Sequence, residues 1–126
     1  MTASITYGDS LCYQEGGFDL LNTLARSRSA GVQCEAGEAL AVFARLPEAH
    51  RALATHGCLL SLVGLARSRS GELQLHAAAA FAALADSHAP KTPLVQAGAV
   101  PPLLMLVRTG SPEVVFLAAK ALLFVR

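Results

Sequence analysis

The chain has 126 residues, of which 53% are hydrophobic and 15% charged, with a formal net charge of +1. That length fits one modest domain with ample material for a core, and the near-neutral charge disfavours nucleic acid or an acidic membrane surface as a partner. Three cysteines, Cys12, Cys34 and Cys58, form no CxxC pair, so neither a disulfide framework nor a zinc site is indicated, and a reducing intracellular, cytoplasmic setting is expected. Between Met1 and Ala30 there is no basic stretch followed by an apolar one, and the longest apolar run, Ala77–Ala85, is far too short to cross a bilayer. Neither a signal peptide nor membrane insertion is expected.

Residues 1–13 are partly apolar (Ile5, Tyr7, Leu11) and read as an N-terminal segment or remnant helix. From residue 14 to 126 the chain repeats itself. Leu24-Ala25-Arg26-Ser27-Arg28-Ser29 returns unchanged as Leu65-Ala66-Arg67-Ser68-Arg69-Ser70, and Leu106-Val107-Arg108-Thr109-Gly110-Ser111 is a third copy. The offset from position 24 to position 65 is 41 residues, and the same step reaches position 106. Gly16, Gly57 and Gly98 share one column, Leu21, Leu62 and Leu103 another, and Ala36, Ala77 and Ala118 a third. The copies are placed at about 14–54, 55–95 and 96–126, the last incomplete.

Each copy predicts three helices. In the second, a short helix opens at Pro47, where a missing N–H costs nothing, and runs to about Thr55 before Gly57. A second helix over Cys58–Arg67 places Leu59, Leu62, Val63 and Ala66 at core spacing, and a longer third runs from about Glu72 to Ala85. In the third copy Pro101-Pro102 opens the second helix. Ser111-Pro112-Glu113 supplies an N-cap, a first-turn proline and an acid at the start of the third. No single copy can bury its apolar stripe alone, so the copies must stack.

The run Gln96-Ala97-Gly98-Ala99-Val100-Pro101-Pro102-Leu103-Leu104-Met105-Leu106-Val107, then Ser111-Pro112-Glu113-Val114 and Ala118-Ala119-Lys120-Ala121-Leu122, closely resembles an armadillo repeat. The resemblance implies an all-α armadillo-type solenoid of about three stacked three-helix repeats. HEAT repeats, with two helices per unit, fit the glycine column less well. It also implies a non-catalytic scaffold for protein–protein interaction inside a larger assembly, ciliary and cytoskeletal complexes included. Alternatives are the substrate-recognition segment of a larger ubiquitin ligase, or binding of an acidic surface or RNA along an arginine-rich edge. The chain stops inside the third helix of its third copy, so a fragment of a longer solenoid, or an end covered by another chain, is expected.

Import receptors of this family clamp an extended peptide with Asn and Trp on the third helices. The corresponding positions here are Val42, Ala83 and Phe124 for Asn, and Glu38, Ala79 and Lys120 for Trp, so that ladder is absent. With Cys34, Leu75 and Phe116 one turn earlier, these residues predict an apolar partner groove suited to a helix or hydrophobic segment of another chain. Arg26, Arg28, Arg67, Arg69 and Arg108 would line one edge as a basic ridge, although a solvated turn is the simpler reading.

No catalytic, metal or cofactor site is expected, and the chain is not read as an enzyme. Asp86-Ser87-His88 are adjacent at a helix end, whereas triad members converge from separate segments. His50 and His56 are six apart and share no helical face, and neither has a cysteine at ligand spacing; His76 and His88 stand apart from them in the chain. Glu35 and Glu38 share a face but lack any companion for acid–base work.

Overall fold

The structure, a computed structural model, describes residues 16–55, 57–86 and 91–125. The N-terminal segment 1–13, Cys12, His56 and the Ser87-His88 pair lie outside them. Every regular element among the described residues is helical. The helices are α1 (Gly17–Ala25), α2 (Ala30–Ala44), α3 (His50–Thr55, preceded by a 3-10 turn at Pro47–Ala49), α4 (Cys58–Ala66), α5 (Gly71–Ala85), α6 (Thr92–Gln96), α7 (Val100–Thr109) and α8 (Pro112–Val125). The fold is the armadillo-type α-solenoid that the repeat implies. In helix terms the second unit runs from residue 47 to 86, and the sequence boundary near 55 falls between its first and second helices.

The glycine column has a backbone cause. Gly57 and Gly98 have φ of 78° and 84°, a left-handed conformation that a side chain disfavours, and each turns the chain from a short first helix into the second. Two of the turns from second to third helix share one hydrogen-bond plan. Ser29 and Ser70 cap α2 and α5 by accepting from the Val32 and Leu73 amides, both at 3.3 Å. Ser27 and Ser68 hydroxyls accept from the Ser29 and Ser70 amides at 3.0 Å. Gln33 and Gln74 reach back across the turn to the carbonyls of Ala25 and Ser68.

The third copy departs from this plan. Val115 stands where Gln33 and Gln74 stand and cannot make that bond, and α7 continues to Thr109, two residues past the positions where α1 and α4 end. Gly110 then turns the chain directly into α8.

The third helices stack most closely, α2 on α5 and α5 on α8, whereas the second helices approach one another more loosely. The alanine columns explain this. Ala36, Ala77 and Ala118, with Ala39, Ala80 and Ala121, are buried, and their small side chains let the helices come near. α2, α5 and α8 thus form the more tightly stacked side of the array. Phe18, Phe43, Phe81 and the leucines at 40, 53, 62, 65, 73, 103 and 106 fill the space behind them, with Phe18 edge-on to Phe43 at 5.1 Å between ring centroids. On α4, Leu65 is fully buried and Val63 half-buried. The true stripe therefore includes Leu65, which the sequence reading left out.

Candidate functional site

Four of the nine groove residues meet in one concavity. Glu38 and Val42 on α2, with Leu75 and Ala79 on α5, line a pocket of about 290 Å³. Ala41, Arg45 and His76 complete its walls, and the sequence reading missed them. The missed signal was helical spacing: 38, 41, 42 and 45 follow the i, i+3, i+4, i+7 rule on one face, and on the next helix 79 lies four residues after 75 and three after 76.

The other five groove residues lie along the same three helices. Cys34 is half-buried; burial first, then Glu72 of the neighbouring helix, raises its pKa. Ala83 is half-buried on α5. Phe116 and Phe124 on α8 are 67% and 41% exposed, with Lys120 exposed between them. The face is thus apolar along its floor, with Glu38, Arg45 and His76 around the pocket and Lys120 on the third repeat.

The edge at the turns is of a different kind. Arg26, Arg28, Arg67, Arg69 and Arg108 are all exposed. Arg26 and Arg67 cap the C-termini of α1 and α4, where a cation complements the helix dipole. Arg108 lies in the last turn of α7. Beside this edge, α1 and α4 enclose a recess of about 490 Å³ lined by Asn22, Arg26, Gln33, Leu60, Ser61 and Gly64, among others. Asn22 is buried there and accepts a hydrogen bond from the Ser61 hydroxyl at 2.8 Å.

The titratable residues weighed in the sequence are accounted for locally. His50 bonds through Nε2 to the Ala44 carbonyl at 2.6 Å, tying the first helix of the second repeat to the end of α2. Cys34 and Cys58 are free thiols. Burial, with Asp19 nearby, pushes Cys58 up to about 12, so it stays protonated at neutral pH. Glu35 and Glu38 are both exposed on α2, and only Glu38 borders the pocket. No helix among the described residues is long and apolar enough to cross a membrane.

Residues 87–123 match the armadillo/beta-catenin-like repeat. No curated protein matches the chain. Among solved structures it is similar to a designed armadillo repeat protein, with a TM-score of 0.79 and 28% identity over 85% of this chain and 46% of that one. It is also similar to two engineered proteins from a structural genomics consortium. One aligns with a TM-score of 0.80 and 37% identity over 87% of this chain and 45% of that one. The other aligns with a TM-score of 0.79 and 28% identity over 85% and 45%. The chain spans a little under half the length of each of these three structures.

Proposed function

Because the chain belongs to the armadillo-repeat family, we propose that it is a non-catalytic protein-binding scaffold whose inner face receives a helix or hydrophobic segment of a partner protein. The observation that carries this reading is the apolar inner face itself. Val42, Leu75 and Ala79 floor a ready concavity, and Phe116 and Phe124 extend it with exposed aromatic surface. Large apolar side chains held at a solvent boundary on a rigid helix favour a protein interface, since their burial against a partner removes apolar area from water. A groove floored by side chains of this kind, without an amide ladder, suits a partner that brings its own satisfied backbone, which is what a helix does. A reducing intracellular setting belongs to the same proposal and is supported by the two free thiols.

The test is cross-linking mass spectrometry on the protein purified with its native companions, paired with the double variant Phe116→Glu/Phe124→Glu. Lys120, on the groove, is expected to link to another protein in the parent. The variant should lose that link while keeping its helical circular dichroism, because both rings are exposed. Lys91, beside the short first helix of the third repeat, serves as the internal control. Links from Lys120 confined to its own chain, with nothing co-purifying, would sink the reading.

A further inference from the structure

The two identical Arg-Ser-Arg-Ser turns divide their residues between two roles. Every serine has a structural task, as cap or turn acceptor. Among the arginines, Arg26 and Arg67 stand at the C-caps of α1 and α4, whereas Arg28 and Arg69 have no such place. Arg26 reaches back to the Asn22 carbonyl at 3.4 Å, but Arg28, Arg67 and Arg69 make no side-chain hydrogen bond with another described residue. Turn geometry therefore explains the serines and leaves Arg28 and Arg69 unexplained. Five of the chain's ten lysines and arginines stand on this edge, so a near-neutral protein concentrates half its cations in one row.

The recess between α1 and α4 opens beside that row. Leu60 stands at its border, 64% exposed, and Gly64 leaves it room, since a Cβ there would meet nothing within 4 Å. A row of guanidiniums next to a notch with an apolar border fits a chain that carries carboxylates and one apolar side chain. Helices of neighbouring repeats stand about 10 Å apart, which is roughly three residues of extended polypeptide at about 3.3 Å each. Nucleic acid fits less well, because no aromatic side chain among the described residues lies on this edge to stack on a base.

We propose that the edge formed by the α1–α2 and α4–α5 turns is a second docking surface that takes an extended acidic peptide, its carboxylates paired with Arg28, Arg67 and Arg69 and one apolar side chain seated against Leu60 in the α1–α4 recess. The surface is separate from the inner groove.

The probe is a fluorescein-labelled 12-residue peptide with Glu at every third position and a single central Leu, titrated by anisotropy against the 126-residue chain. Binding should weaken as salt rises and fall about tenfold in Arg28→Ala/Arg69→Ala, the loss of two charge-assisted contacts. Gly64→Leu should fill the recess and weaken binding without lowering the thermal midpoint, and Phe116→Glu/Phe124→Glu should bind as the parent does. Absence of binding, affinity indifferent to the arginine and glycine variants, or tighter binding of a 12-residue oligouridylate would each overturn the proposal.

Discussion

The second and third repeats follow one sequence plan and arrive at different surfaces. Phe81 and Leu122 occupy the same column, yet Phe81 is fully buried and Leu122 only half-buried. Ala78 and Ala82 on α5 are buried, whereas their counterparts Ala119 and Leu123 on α8 are exposed, Leu123 by 57%. The cause is neighbourhood: α5 is packed between α2 and α8, while α8 packs on α5 and α7. In a solenoid a residue's burial is set as much by the helices packed against it as by its own helix.

The largest test of that contrast is truncation of the paired core residues. Phe81→Ala should cost roughly 3–5 kcal/mol by opening a cavity between α2, α5 and α8. Leu122→Ala should cost less than half as much, read as the shift of the urea midpoint by circular dichroism. Equal losses would mean that α8 is as enclosed as α5, and the comparison would break.

The turns reverse the ranking. A Cβ at Gly110 would lie 2.6 Å from Val114 Cγ1 and 2.7 Å from the Leu106 carbonyl oxygen, whereas the same column holds Arg28 and Arg69 with their side chains free in solvent. Gly110→Ala is expected to destabilise by about 1–3 kcal/mol. Arg69→Ala should leave the thermal midpoint within about 0.5 kcal/mol of the parent. A neutral Gly110→Ala would show that the tight third turn relaxes freely.

Helix caps should not distinguish the repeats. Ser70 and Ser111 accept from Leu73 and Val114 amides at 3.3 and 3.4 Å, so Ser70→Ala and Ser111→Ala should each cost about 1 kcal/mol. A clear inequality in paired denaturation curves would locate an additional difference between the two repeats at the cap.

The smallest effect concerns Cys58, buried in the second repeat. Its pKa is raised from 9.0 to about 12, so the folded state keeps the proton longer than the unfolded chain does. Its contribution to stability is full below about pH 9 and declines as pH rises toward about 12. Cys58→Ala should flatten that part of the stability profile relative to the parent, and a thiol reagent should label half-buried Cys34 before Cys58. Labelling in the opposite order would argue that the second repeat opens locally more readily than its packing implies.

Most of the fold was legible because it is periodic. The 41-residue step, the glycine column and the Pro and Ser starts fixed the three helices described in the second and third repeats, for local reasons of φ, caps and missing N–H groups. Helical spacing and the resemblance placed Glu38, Val42, Leu75 and Ala79 together, and these line one pocket, but they left out Ala41, Arg45 and His76 beside them. The recess between α1 and α4 was not legible, because its walls come from residues as distant as Asn22 and Ser61, and no local pattern marks their meeting.

Sequence alone therefore determined the repeat, the helix boundaries of the second copy to within a residue or two and most of the stripe that α4 buries, since those depend on backbone chemistry and side-chain period. Tertiary structure decided which equivalent residues are covered, where Gln33 and Gln74 clasp their turns, and that Gly110 has no room for a methyl group. It also showed that the serines of the basic turns are structural while most of their arginines face water. Those outcomes depend on the distance between helices, which is set by the packing of many side chains together.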